Sequence, residues 1–265
     1  MSKEQENLMR LALLSDVHGN LHALEAVLAD LQAHGTFDKV WILGDLCAFG
    51  ARPTECLARL RDLRDTLGKE VVSFIGGNTD RYLVRGERPK GKPAQDEGAL
   101  PAFRRSVLER DNALNWGLSR LTHDDYAFLS ALVGRELAHD VPAYGRVIGF
   151  HATPGDDEAM HLRPDTPDDR AEDALLDREG RLAVCGHTHV AMDRVLARWR
   201  VLNPGSVGMS FTQAGYAEWA YLTFTAGDAK ATFRVLPYDV EATLRDAEAV
   251  GYPTMDMLKI ALKRA

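Results

Sequence analysis

The sequence predicts an α/β fold in which two β-sheets form a sandwich flanked by helices, with a helical insertion. Three observations predict it. Short apolar runs alternate with amphipathic helical patterns between Met9 and Ile75. A second group of apolar runs starts at Arg146, and two of its later members read as an antiparallel pair. The apolar runs stop on polar residues able to chelate a metal ion, at the strand ends where α/β sheets bind ligands.

Met9–Leu14 is a short apolar run of the kind that forms a buried strand, halted at Ser15-Asp16. Leu21, Leu24, Val27, Leu28 and Leu31 then recur at helical spacing, with Asn20 placed to cap the helix. Val40–Leu43 is a second strand, stopped at Gly44-Asp45. Cys56–Leu67 follows as a helix carrying Leu57, Leu60, Leu63 and Leu67 on one side. Val71–Ile75 is a third strand, stopped at Gly76-Gly77-Asn78. Arg85–Ala99 is rich in Gly, Pro and charge and reads as a loop. Phe103–Leu132 reads as helical, anchored by Trp116, Leu118, Leu121, Phe128 and Leu129. Residues 86–135 are therefore expected to form a loop plus helical insertion overhanging the site.

Arg146–Phe150 is a strand ending at His151, and Leu182–Cys185 one ending at Gly186-His187-Thr188-His189. Arg200–Leu202 leads into Asn203-Pro204-Gly205-Ser206. Trp219–Phe224 and Ala231–Leu236 read as antiparallel strands of the second sheet, joined at Gly227-Asp228. Residues 239–265 form a helical tail broken near Gly251-Tyr252-Pro253. The whole chain, 1–265, reads as one domain.

Composition narrows the function. Hydrophobic residues make up 45 % of the 265, enough for a sizeable core. Lys and Arg total 32 against 39 Asp and Glu, a net charge of −7, which argues against extended nucleic-acid binding. Three cysteines, Cys47, Cys56 and Cys185, make neither a disulfide framework nor a zinc-finger spacing and fit a reducing cytoplasm. The polar start, Met1–Asn7, does not read as a signal peptide. No apolar stretch reaches the ~20 residues of a membrane span.

The strand-end residues are Asp16, His18, Asp45, Asn78, His151, His187 and His189. Carboxylate, imidazole and amide oxygen all bind borderline divalent ions such as Mn, Fe, Zn, Co or Ni. Asp16 and His18 lie two apart, as do His187 and His189, so an extended segment would point each pair one way. Singly, such an Asp is usually a turn residue and such a His a surface or core residue. As an ordered set of seven they exceed what one tetrahedral zinc needs and suit two ions sharing a carboxylate.

In these blocks the sequence resembles the calcineurin-like metallophosphoesterase superfamily. The shared blocks are Asp16-Val17-His18, Gly44-Asp45, Gly77-Asn78-Thr79-Asp80, His151 and Gly186-His187-Thr188-His189. The Ser15–Asn20 segment and Asn203-Pro204-Gly205-Ser206 are most similar to the small bacterial and archaeal phosphodiesterase branch. The resemblance implies that Asp16, His18 and His189 hold one divalent transition-metal ion, and Asn78, His151 and His187 a second. Asp45 would bridge them, and manganese is the first choice of metal. It further implies hydrolysis of a small phosphoester by a hydroxide bridging ions ~3.5–4 Å apart. Cyclic nucleotides are among the expected substrates.

One position departs from the pattern. The third block carries Thr79 where the family has a histidine that serves the transition state or the leaving group. A threonine hydroxyl donates a hydrogen bond but shuttles protons poorly near neutral pH. The expected catalytic set is thus Asp45, Thr79 and Asp80, with Asp80 orienting a ligand histidine or, equally, opening a helix. Asn20, Asn78 and His151 are expected to meet substrate, although Asn20 is as well suited to capping.

His22 could face the site and Arg81, Arg85 and Arg88 could meet an anionic substrate, although solvated roles fit these four better; His161, Arg163 and Asp165 could line the rim. Cys47, close to Asp45, reads as packing. Two other readings stand beside the phosphodiesterase. One is a phosphomonoesterase or dinucleoside polyphosphate hydrolase, and the other a metal-binding scaffold without catalysis. A homo-oligomer is compatible with the antiparallel strands and the C-terminal helices, which could pair across a two-fold.

Overall fold

The computed structural model describes residues 9–89 and 91–263; Met1–Asn7 lies outside the described residues. Two mixed five-stranded sheets pack face to face, with helices on the outside. In the first sheet, β1 (Met9–Leu14), β2 (Lys39–Ile42) and β3 (Val72–Phe74) run parallel. β9 (Tyr216–Thr225) pairs antiparallel with β1, and β10 (Asp228–Pro237) closes the edge. In the second sheet, β5 (Gly145–Gly149), β6 (Leu182–Val184) and β8 (Arg200–Asn203) run parallel. Antiparallel β4 (Leu137–Val141) and β7 (Met192–Val195) form its edges.

The period-two rule of strands assigns each buried residue to a layer. Leu11 and Leu13 of β1 face the sandwich interior, where they meet Trp41, Val147, Leu182, Val184 and Leu202. Ala12 and Leu14 face outward, onto α1 (Leu21–Ala33) and α2 (Pro53–Leu67). Burial on both faces explains why the central strands are apolar throughout. On the other flank, Ile148, Ala183 and Val201 pack with Leu162, Trp199 and Ala171 of α6 (Asp168–Asp173). α1 starts where Asn20 accepts from Ala23 N at 3.2 Å, and α2 has Pro53 in its first turn.

Three expectations change. The antiparallel pair β9–β10 joins the first sheet, because the open side of β1 receives β9 over Met9–Leu13. β4 and β7 are strands that the apolar-run criterion missed: as edge strands they alternate buried with exposed and carry His139, Asp140, Asp193 and Arg194. The Asn78 block opens a helix, α3 (Asn78–Arg85), in agreement with the helix-opening reading of Asp80. The long helical run divides into α4 (Leu100–Arg120) and α5 (His123–Ser130). Thr122 and Asp125 form a reciprocal capping box that starts the second helix, at 3.1 and 3.0 Å. α7 (Val240–Ala249) and α8 (Met255–Leu262) form the tail, and their Leu244, Ala247, Leu258 and Leu262 pack with Ala113 of α4. Among the described residues no helix is long and apolar enough to cross a membrane.

Candidate functional site

All seven strand-end residues meet at one end of the sandwich, where the loops after β1, β2 and β3 face those after β5 and β6. Ligand atoms of Asp16, His18, Asp45 and His189 lie within 4.8 Å of one another, and all four residues are buried. His18 Nε2 is 3.0 Å from His189 Nε2 and 3.6 Å from Asp45 Oδ2, while His189 Nε2 is 3.3 Å from Asp16 Oδ1. A second group adjoins the first. Asn78 Oδ1 lies 3.1 Å from His151 Nε2 and 3.0 Å from His187 Nδ1. The other oxygen of Asp45, Oδ1, is 3.5 Å from His151 Nε2. Asp45 therefore presents one oxygen to each group.

The backbone reaches this arrangement by left-handed turns, not by the extended segments expected from the two-residue spacing. Asp16, His18, Asp45, His187 and His189 have φ of 56°, 49°, 55°, 66° and 56°. Each such residue costs on the order of 1 kcal/mol and persists where its surroundings over-determine it. Here they do. Asp16 N donates to Gly44 O at 3.0 Å, His18 N to Asp45 O at 2.9 Å, and Gly208 N to Asp16 O at 2.9 Å. His187 N donates to Asp16 Oδ2 at 3.0 Å, joining the two sheets' loops. Gly77 allows the closest approach: a Cβ there would come within 2.2 Å of Asp45 Oδ1 and 2.7 Å of His151 Cε1.

Each of the four histidines points one ring nitrogen at a backbone carbonyl. His18 Nδ1 faces Ala48 O at 3.0 Å, His151 Nδ1 faces Leu43 O at 2.6 Å, and His189 Nδ1 faces Met209 O at 2.7 Å. His187 is reversed, with Nε2 facing Glu158 O at 3.2 Å. A carbonyl only accepts, so the nitrogen facing it carries the hydrogen. That sets the tautomer and turns the other nitrogen's lone pair inward. Four imidazole nitrogens, two carboxylates and the Asn78 oxygen thus converge on one space, a set that positive charge would complement.

Electrostatics agree. Burial opposes charge on Asp45, yet His151 and His18 outweigh it and hold the acid far below the carboxylate range. Asp16 is also lowered, burial again opposing and His189 prevailing. Burial likewise opposes charge on His151, but Asp45 lifts it to about 10. His187, pressed by burial and by His151, falls to about 4. The mixed N/O donor set fits divalent ions.

Other expected residues take different places. Asp80 orients no histidine: its carboxylate accepts from Asp45 N (2.8 Å), Leu46 N (3.0 Å) and Gly77 N (2.9 Å). It positions Asp45 through the main chain and opens α3. Thr79 N donates to Asp45 Oδ1 at 2.9 Å, and its buried hydroxyl has no hydrogen-bond partner within the described protein. The Asn20 carboxamide is committed within the fold, to Ala23 N, to Gly208 O at 2.9 Å and to Tyr238 Oη at 3.1 Å. Substrate contact by Asn20 is corrected to capping for that reason.

His22 pairs with Asp246 at 3.7 Å, Arg88 with Asn115 at 2.6 Å, and Arg163 with Asp165 at 2.9 Å. His161 is exposed. Arg81, held by Asp157 at 2.8 Å, and Arg85 do line a cavity of about 380 Å³ that reaches His151. Cys47 is buried and its thiol is pushed well up by burial, as suits packing. Sequence reasoning missed the supporting roles of Asn203 and Ser206. Asn203 Nδ2 donates to Gly186 O at 2.6 Å, and Ser206 Oγ to Asp16 O at 2.8 Å. The Asn-Pro-Gly-Ser motif was the available signal.

Known proteins share this arrangement of chain. The calcineurin-like phosphoesterase superfamily domain matches residues 9–227. An uncharacterized protein of Methanocaldococcus jannaschii is 27 % identical over 252 residues, 87 % of this chain and 88 % of that protein. A symmetrical bis(5′-nucleosyl)-tetraphosphatase of Actinobacillus pleuropneumoniae is 29 % identical over 128 residues, 46 % of this chain but only 44 % of that one. A hypothetical protein of Pyrococcus horikoshii has the same fold, with a TM-score of 0.77 at 21 % identity over 97 % of this chain and 98 % of its own. So has a metallophosphoesterase of Sphaerobacter thermophilus, with a TM-score of 0.68 at 24 % identity and the same coverage. With the family domain spanning β1 to β9 and every residue of the buried Asp/His cluster, the chain belongs to the calcineurin-like phosphoesterase superfamily.

Proposed function

We propose that the protein hydrolyses small phosphodiesters with two divalent metal ions. Asp16, His18 and His189 would hold one ion, Asn78, His151 and His187 the other, and Asp45 both. The observation that carries this reading is the inward convergence of acceptors, each histidine locked by a carbonyl behind it. Bound ions supply Lewis acidity, lowering the pKa of water and neutralising phosphate oxygens.

The chain's own residues place and orient those ligands. Asp80 fixes the Asp45 main chain, and Thr79 N fixes one Asp45 oxygen. Thr79 stands where the family pattern has histidine, so no imidazole delivers a proton to the leaving alcohol from that position. This favours esters whose leaving groups need little protonation. The free, buried state of Cys47, Cys56 and Cys185 supports a reducing compartment, the cytoplasm.

The test is turnover of bis(p-nitrophenyl) phosphate and p-nitrophenyl phosphate by chelator-stripped protein, with Mn, Co, Ni, Zn or Mg restored singly. Metal-restored turnover with the diester ahead is expected, manganese leading. Stoichiometric metal uptake without turnover of either ester would sink the reading and leave a scaffold. The local match to dinucleoside tetraphosphatases favours a second reading, hydrolysis of dinucleoside polyphosphates. Faster turnover of diadenosine tetraphosphate than of any simple diester would establish it.

A further inference from the structure

A cavity of about 670 Å³ opens between α4 and α8, beside the His18–His189 edge of the cluster. Phe49 and Met209 form its wall toward the site. The Phe49 ring centroid lies 5.9 Å from that of His18, and the Met209 carbonyl faces His189 Nδ1 at 2.7 Å. The opposite wall is Met257 and Ala261 of α8 with Ala102 of α4, and Ser106 and Arg105 also line the cavity. α8 lies beyond residue 227, where the family match ends, whereas α4 lies within it.

We propose that this cavity is the subsite for an ester group of the substrate, and that it takes a planar, uncharged ring of nucleobase size attached to the phosphate. The proposal rests on the phosphoesterase reading above and names the substrate class for the same site. Adjacency supports it, since two residues of its wall stand against the cluster, Phe49 against His18 and Met209 against His189. Size supports it, because small-molecule sites commonly enclose ~300–1,000 Å³. Chemistry supports it too. An aromatic ring favours a planar partner, and methionines adapt to its outline. Ser106 and Arg105 offer hydrogen bonds to the polar edge of a heterocycle, which an aliphatic chain would leave unused. Glu109 and Arg110 line the cavity as well, so its charged groups gather on α4, across from the apolar Met257, Leu258 and Ala261 of α8.

Competitive inhibition of metal-loaded protein separates the ring from the phosphate. Thymidine 5′-monophosphate and methyl phosphate are compared as inhibitors of bis(p-nitrophenyl) phosphate turnover. Wild type should bind the nucleotide about tenfold or more tightly than methyl phosphate, the scale of a filled apolar pocket. Ala102→Trp, at an exposed position of α4, should level the two by weakening the nucleotide alone. An unchanged ratio, or equal weakening of both, overturns the proposal.

A second readout needs neither metal nor turnover. In chelator-treated protein with 13C-methyl methionine, thymidine should shift the Met209 and Met257 signals and leave Met192 in place, and Ala102→Trp should abolish those shifts. No shift at Met209 and Met257 overturns the proposal as well. If no metal restores turnover, the phosphoesterase reading falls while the methyl titration still decides the cavity.

Discussion

The two sheets meet at one end and bring different chemistry there. The parallel triple β1–β2–β3 ends in Asp16 with His18, Asp45 and Asn78, mostly oxygen donors and both carboxylates. The parallel triple β5–β6–β8 ends in His151, in His187 with His189, and in Asn203. Its inward donors are nitrogens, and Asn203 braces Gly186 instead of facing the cluster. The first sheet therefore contributes the charge and the second the directed lone pairs. Neither half is a site alone: Asp45 spans both groups, and Asp16 accepts from the backbone of His187. The difference teaches that the centre is a property of the seam between the sheets, so it fails wherever the seam or its shared carboxylate is disturbed.

The comparison breaks most completely at Asp45. Asp45→Asn keeps a residue type that tolerates the left-handed backbone but removes the charge shared by the two groups. Metal-dependent turnover should drop by at least ~100-fold, since even the outer partners of metal ligands cost 10–100-fold. Circular dichroism and the melting curve of chelated protein should stay close to wild type. Retained turnover in the metal-loaded variant would refute the shared role of Asp45.

Next comes the seam itself. In Gly77→Ala the new methyl would stand 2.7 Å from His151 Cε1 of the second sheet as well as 2.7 Å from the Asp45 main-chain nitrogen of the first, so backbone must move. Overpacking of this kind costs ~1–3 kcal/mol. Denaturant unfolding should show that loss together with weakened uptake of metal, whereas wild-type stability would show that the loops of the two sheets are less tightly joined than their distances indicate.

Thr79 sharpens the contrast by asking what the oxygen-rich side lacks. Thr79→His should speed hydrolysis of diesters with alkyl leaving groups by up to ~100-fold, the lower range of general acid catalysis. Nitrophenyl esters should change little. Equal effects on both classes would assign Thr79 a packing role only.

The smallest effect lies far from the centre, where β9 and β10 are tied to α1. Asp30 accepts from Trp219 Nε1 at 3.0 Å and from Arg234 at 3.0 and 2.9 Å. Burial opposes its charge, but Arg234 and Trp219 prevail and hold it below the ordinary 3.8. A depressed acid stabilises the fold fully above its unfolded pKa, and that gain is lost as pH falls through the folded value. Asp30→Asn should cost about 1 kcal/mol at neutral pH, after screening by solvent. The gap to wild type should close as the solution is acidified below 3.8; a gap independent of pH would mean that shape, not charge, holds the strands.

The legible part of the molecule was local. Met9–Leu14 ends on Asp16, Val40–Leu43 on Asp45, and Leu182–Cys185 on His187 and His189. In each case an apolar run followed by a chelating residue shows within a few positions of the chain. What stayed hidden depended on distant partners. β4 and β7 carry the polar faces of edge strands. The placement of β9 depended on the open side of β1, roughly two hundred residues earlier in the chain, and strand pairing of that range leaves no periodic mark.

The roles of Asn20 and Asp80 were ambiguous for the same reason, since a cap, a brace and a substrate contact all call for the same side chains. By itself the sequence determined the donor atoms, the strands that carry them and the missing histidine at Thr79. Only the tertiary structure decided that five of those donors sit on left-handed backbone, that a carbonyl stands behind each imidazole, and that Asp45 faces both ways. Donor type is a property of one residue. Direction and tautomer come from hydrogen bonds between loops of two sheets, and those bonds exist only when the sheets are packed together.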